Sequence, residues 1–206
     1  MEIMVLSKPY MTPERKVSHS PKKRMIELRS FLLVKTQPGQ EKEILGRFEM
    51  MPEVREIHLI TGKFDLLVAL ESSETELDPR QEVVQLVIDK VRTLGGIMDT
   101  RTIIPIESRS SSGTQLERPT TRGFVFIQCD AGREKELMTK LIALPDIRGV
   151  HRLFGKADLL VELEVAKSFV HPPPQHISNL VETQISKLPG LRDTDTYVPL
   201  ESIMKN

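Results

Sequence analysis

The sequence predicts an α+β protein made of two tandem βαββαβ units, and three observations carry that expectation. The chain repeats itself: Phe31, Gly39, Pro52, Gly62 and Asp65 recur as Phe124, Gly132, Pro145, Gly155 and Asp158, always 93 positions later. Between 31 and 71 the register holds without a gap, and 16 of 41 positions are identical to their counterparts. Chance would match roughly one in sixteen. Within each copy the apolar periodicity switches between short strand-like runs and helical spacing in the order strand, helix, strand, strand, helix, strand. Finally, one eleven-residue stretch occurs twice, as Thr61–Glu71 and Phe154–Glu164, each with Gly-Lys-x-Asp ahead of a strand-length apolar run.

In the first copy Phe31-Leu32-Leu33-Val34 reads as a strand. Gln40 to Met51 reads as a helix, with Ile44, Leu45, Phe48 and Met51 on one face and Pro52 closing it. Val54 to Ile60 and Asp65 to Glu71 are the next two strands. Gly62 joins them, because glycine enters positive φ without a β-carbon clash. Asp78-Pro79 starts the second helix as N-cap and first-turn proline. That helix presents Val84, Val87, Ile88, Val91 and Leu94, and Gly95-Gly96 ends it. Ile97 to Ile106 is the fourth strand. Beyond the second helix the repeat offset becomes 94, pairing Asp99 with Asp193, Thr102 with Thr196 and Pro105 with Pro199. One residue has therefore been inserted, in the stretch around Pro172-Pro173-Pro174.

These patterns divide the chain into a basic, proline-containing tail (1–29), a first domain (30–108), a Ser/Arg/Thr-rich linker (109–121) and a second domain (122–206). The tail has seven basic residues against three acidic ones, which suits weak phosphate contact or a solvated terminus. Over the whole chain 29 basic residues balance 29 acidic ones, so no global charge draws it to nucleic acid or to an anionic membrane. The longest uninterrupted apolar run, Leu66–Leu70, is far short of the roughly 20 residues a membrane helix needs. A single cysteine, Cys129, makes no internal disulfide and reads as a small buried hydrophobe in a strand. With no leader-like segment, the expected location is the cytoplasm.

The strand and helix order is the split, ferredoxin-like arrangement, in which two helices cover one face of a four-stranded sheet. The other face would be bare. Yet strands 1 and 3 are apolar on both sides, Phe31/Leu33 with Leu32/Val34 and Leu66/Val68/Leu70 with Leu67/Ala69, and a bare apolar sheet face marks an association surface. The nearest partner is the other copy, tethered by the linker. The two sheets are expected to meet face to face within one chain, as a pseudo-dimer of the dimeric α-β barrel type. Pairing between equivalent copies of two chains competes with that arrangement.

With Thr61-Gly62-Lys63-Phe64-Asp65 and its following strand, and the last strand Asp99-Thr-Arg-Thr-Ile-Ile-Pro-Ile, each half resembles the effector-binding domain of the Lrp/AsnC regulators. The counterparts in the second half are Gly155-Lys156-Ala157-Asp158 and Asp193-Thr-Asp-Thr-Tyr-Val-Pro-Leu, and the match spans about 80 residues in each copy. Members of that family usually carry a helix-turn-helix ahead of this domain, and the 29 residues before the first strand offer no room for one. The resemblance implies a non-catalytic sensor. It would bind a small effector, usually an amino acid, near the Gly-x-x-Asp turn, would self-associate into pseudo-dimers or rings, and would form mixed assemblies with full-length Lrp/AsnC regulators. Direct DNA binding is not expected, nor is any cofactor or metal.

The candidate effector-binding residues are Gly62, Lys63, Phe64, Asp65, Thr100 and Thr102, with Gly155, Lys156, Asp158, Thr194 and Thr196 in the second copy. Asp65 has the chemistry to accept an ammonium, backbone N–H groups at Gly62 and Lys63 to hold a carboxylate, and the threonines to offer hydroxyls. The competing reading is that Asp65 caps its own turn. Ala157 stands where the first copy has Phe64, so the second site is expected to be degenerate. His58 and His151 recur in register on the second strand without the companions of a metal site and read as satisfied sheet histidines. The alternative function is an enzyme on the same fold, of the siroheme decarboxylase kind or a barrel oxygenase or isomerase. The aliphatic character expected of the inner sheet faces argues against general acid–base chemistry there.

Overall fold

A computed structural model describes residues 28–72, 78–111, 119–167 and 173–205 of the chain. Each copy builds an antiparallel sheet with two helices on one face. The first copy contributes β1 (Leu28–Thr36), α1 (Glu41–Glu49), β2 (Val54–Leu59), β3 (Leu66–Ser72), α2 (Pro79–Leu86) and β4 (Ile97–Ile103). A short strand, β5 (Glu107–Ser110), follows. The second copy contributes β6 (Thr120–Cys129), α3 (Glu134–Ile142), β7 (Ile147–Arg152), β8 (Leu159–Ala166), α4 (Pro173–Leu180), β9 (Leu191–Tyr197) and β10 (Glu201–Met204).

The fourth strand expected over 97–106 is two strands, and the break decides the architecture. Pro105 and Pro199 each remove a ladder N–H, so the chain leaves one sheet there and joins the other. The sheets run β10-β2-β3-β1-β4 and β5-β7-β8-β6-β9. Each copy thus lends its last strand to its neighbour: Ser202 lies opposite His58, and Ser108 opposite His151. The domain and linker boundaries read from composition shift accordingly. Arg109 and Ser110, assigned to the linker, belong to β5, and Thr120 and Thr121 belong to β6. Leu28 and Arg29, assigned to the tail, open β1, while residues 1–27 lie outside the described part of the chain. Serine and charged residues suggested solvent; the backbone pairing of an edge strand overrides that composition.

Three cores result. Two lie between each sheet and its own helices, one around Leu32, Phe48 and Val68, the other around Val125, Leu141 and Val161. The third fills the space between the sheets, with Phe31, Leu33, Phe64 and Leu67 of the first copy against Phe124 and Leu160 of the second. The two open faces therefore meet inside one chain, as the apolar strands require. The second helix of each copy ends in a π-helical turn, Val87–Val91 and Val181–Ile185. Its wider spiral keeps Val83, Val87 and Val91 buried together with Leu86, and leaves Val84 and Ile88, expected on the inner face, about half exposed. Among the described residues no helix is long and apolar enough to cross a membrane.

Candidate functional site

The Gly-Lys-x-Asp turns do first what their chemistry dictates locally. Gly62 and Gly155 adopt φ of 118° and 140°, a region that disfavours side chains. Asp65 Oδ2 accepts from the Thr36 backbone N–H (2.8 Å) and hydroxyl (3.0 Å), and Oδ1 accepts from Lys35 Nζ at 2.8 Å. Asp158 repeats the arrangement, accepting from the Cys129 N–H at 2.8 Å. Burial alone would raise the Asp65 carboxyl, but the Lys35 and Thr36 hydrogen bonds outweigh it and hold the group below its ordinary value. Both aspartates fasten the turn to the end of the neighbouring strand. Asp65 is engaged with three donors, so the ammonium acceptor expected of it must be sought elsewhere.

What the turns hold in place is a cavity of about 420 Å³ between the copies. Lys63 and Phe64 enter it from the first turn, Lys156 and Ala157 from the second. Arg101 of β4 and Asp193, Thr194, Asp195 and Tyr197 of β9 complete the rim, with Leu33, Phe126 and Gln128 behind. The volume falls within the ~300–1,000 Å³ usual for small-molecule sites. Of the residues expected from sequence, Lys63, Phe64, Lys156 and Thr194 meet here. Gly62 lies close by: a β-carbon on it would sit 4.0 Å from Tyr197 Cε1. Thr102, Gly155 and Lys156 line a smaller, adjoining cavity of about 110 Å³ beside Phe154. Asp65, Asp158, Thr100 and Thr196 line neither.

All four threonines sit one register step from the inward-facing positions, and only Thr102 and Thr194 still border a cavity. Thr100 and Thr102 lie opposite Val34 and Leu32, Thr194 and Thr196 opposite Ile127 and Val125, all members of the helix-side cores. Side chains alternate along a strand, so the faces turned inward belong to Arg101 and Ile103, and to Asp193, Asp195 and Tyr197. The signal that would have found them was that same alternation, applied to the last strand. Tyr197 donates its hydroxyl to Asp195 at 2.9 Å. Burial and that carboxylate together push its pKa up to about 12.

At the opposite end of the inter-sheet space lies a second polar centre, and it corrects the expectation of aliphatic inner faces. Arg29 donates Nε to Glu162 Oε1 at 2.9 Å and Nη2 to Oε2 at 2.7 Å, and also pairs with Glu56 at 3.0 Å. Its counterpart Arg122 pairs with Glu56 at 3.4 Å and Glu164 at 3.0 Å. The two histidines are satisfied on both ring nitrogens. His58 bonds Ser202 (2.9 Å) and Glu56 (3.2 Å), and His151 bonds Ser108 (2.9 Å) and Glu162 (2.7 Å). A carboxylate only accepts, so Nε2 of each ring carries a proton, and Nδ1 meets a serine hydroxyl, which can donate or accept. Each ring also meets, edge-on, the phenylalanine of the other copy: His58 with Phe124, His151 with Phe31.

The carboxylates themselves are exchanged between strands. Glu56 on β2 faces Ala69 on β3, whereas in the second copy Gly149 on β7 faces Glu162 on β8. A β-carbon at Gly149 would come within 3.0 Å of both Glu162 Oε1 and His151 Nε2, so either strand can supply the acid but not both. The recurrence of Arg29 as Arg122 at the same offset was the sequence signal for this centre.

Burial pushes the Glu56 carboxyl up, but the His58 hydrogen bond and the two arginines bring it down to about 2. Against still deeper burial, His151 and Arg29 hold Glu162 well below the ordinary 4.5. A depressed folded-state value means stability that is present above the unfolded value and lost as pH falls toward the folded one. Glu56 alone should contribute on the order of 3 kcal/mol at neutral pH, disappearing between about pH 5 and 2. Urea melts across that range should show the decline, and Glu56→Gln should flatten it; an unchanged slope would show that the pair titrates alike in both states.

Among the described residues no group of three His, Cys, Asp or Glu side chains is placed to hold a metal ion. The sequence profile of the Lrp/AsnC ligand binding domain matches the chain twice, over residues 29–114 and 122–206. An uncharacterized HTH-type transcriptional regulator of Pyrococcus horikoshii is 30% identical over 86 residues, which is 40% of this chain and 54% of the relative. A second, from Pyrococcus abyssi, is 29% identical over 90 residues, 42% of this chain and 57% of the relative. The chain thus spans about half the length of the curated relatives it matches. Among solved structures, the siroheme decarboxylase NirDL in complex with an iron-uroporphyrin III analogue superimposes with a TM-score of 0.61 at 11% identity, covering 85% of this chain and 72% of the other. At that identity the likeness is one of fold.

Proposed function

Because the chain belongs to the Lrp/AsnC ligand-binding domain family and carries two copies of that domain, we propose that it is a non-catalytic effector-binding and assembly module in transcriptional or metabolic regulation, with an amino acid as its ligand. The supporting observation is the cavity where both Gly-Lys-x-Asp turns converge. It offers cations for a carboxylate in Lys63, Lys156 and Arg101, acceptors for an ammonium in Asp193 and Asp195, and apolar walls in Phe64 and Phe126. Asp65 and Asp158 act one step back, by fixing the turns that carry the lysines. Mixed assembly with full-length regulators belongs to the same proposal, since the relatives are HTH-type regulators and the repeat unit is built to pair with its own kind.

The test is a thermal-shift panel of the twenty amino acids, with an iron tetrapyrrole alongside. One or more amino acids should raise Tm, and Arg101→Ala should weaken that ligand about tenfold, or about 1.4 kcal/mol. A shift with the tetrapyrrole and none with any amino acid would overturn this reading in favour of an enzyme like the siroheme decarboxylase whose fold the chain shares. Against that alternative, both ring nitrogens of His58 and His151 are already engaged.

A further inference from the structure

The two turns are related by the repeat, yet the space around them is not. Two adjoining cavities, of about 420 Å³ and about 110 Å³, share Arg101, Phe126, Lys156 and Ala157, and of the two only the first reaches the size of a small-molecule site. Ala157 lines both cavities. Its counterpart Phe64 is buried in the inter-sheet core. A second phenylalanine at 157 would carry a benzyl group to the wall of the large cavity. With alanine there, the turns of both copies border one chamber.

The charges around this chamber are also uneven. Lys63, Lys156 and Arg101 all border it, and among the described residues none has a carboxylate as ion-pair partner, whereas Arg29, Lys35, Arg55 and Arg122 each do. Lys63 only leans on the Phe64 ring, 5.6 Å from its centroid. Two carboxylates stand opposite, and Asp195 already accepts from Tyr197. Three unpaired cations facing two acids call for a ligand with two negative groups and one positive group.

We propose that the chamber takes one acidic amino acid per chain, its two carboxylates shared among Lys63, Lys156 and Arg101 and its ammonium on Asp193 and Asp195. This deepens the effector reading above and rests on it. A hydrogen-bonded carboxylate–cation pair is about twice as strong as a neutral pair, so replacing the second carboxylate by an amide removes the stronger contact. The ligand straddles the junction of the two copies, and one site per chain follows from the geometry.

Isothermal titration of the full chain with L-glutamate, L-aspartate, L-glutamine, L-asparagine and succinate tests the assignment. Glutamate or aspartate should bind one per chain, at least tenfold tighter than the matching amide and than succinate, which lacks the ammonium. Lys156→Ala should erase the preference for acid over amide. Ala157→Phe should abolish binding while leaving the melting temperature of the unliganded protein within a few degrees; if that variant fails to fold, Ala157→Leu with the same readout serves in its place. Equal affinity for acid and amide, equal affinity for succinate, or two sites per chain would overturn the proposal and leave the effector reading standing. The absence of binding by any amino acid would overturn both.

Discussion

Replacing Arg29 by methionine should destabilise the protein by about 3–5 kcal/mol, because it strands a carboxylate in the interior. Glu162 is 3% exposed and draws two of its hydrogen bonds from that guanidinium. Of its partners Arg29 and His151 only the latter would remain, and burial would then push its pKa up, so the penalty should grow as pH rises past about 5 and the stranded carboxyl ionises. The double variant Arg29→Met/Glu162→Gln should lose less than Arg29→Met alone, since no buried charge is then left at 162. Denaturant melts of the two variants measure this directly. A loss below about 1 kcal/mol for Arg29→Met would mean that water reaches Glu162 and that the centre is not dry.

Phe124→Ala should cost a similar 3–5 kcal/mol, here by leaving a cavity. Phe124 has no exposed surface, and its ring stands 4.7 Å from that of His58, which belongs to the other copy. The loss should therefore be felt in both halves. Hydrogen exchange is the measurement that separates this from a local defect: amides of β2 in the first copy should lose protection together with those of β8 in the second. Faster exchange confined to residues 119–205 would show that the copies unfold separately despite the shared core and the exchanged strands.

Most of the fold was legible because its determinants are local and occur twice. The repeat offset, the helix-closing Pro52 and Pro145, the turn at Gly62 and Gly155, and the two-sided greasiness of Leu66–Leu70 each state a local requirement that tertiary packing met rather than overrode. The apolar strands even announced that something must cover their second face. The site was less legible. Lys63, Phe64 and Lys156 were found because they ride on the recognisable turn. Arg101, Asp193, Asp195 and Tyr197 were passed over in favour of their threonine neighbours. Which of two alternating faces looks inward depends on what lies across the gap, and that information belongs to the partner sheet.

The sequence by itself determined that there are two copies of one unit, where each helix and most strands lie, and that the open faces must be covered. Only the tertiary structure decided that Pro105 and Pro199 send the last strand of each copy into its neighbour's sheet. It also decided that Glu56 and Glu162 share one buried centre from different strands, and that Lys63, Lys156 and Arg101 border one chamber. The reason is physical: secondary structure answers to the period of a few neighbouring residues, whereas a cavity or a buried charge also depends on groups that meet as much as 133 positions apart along the chain.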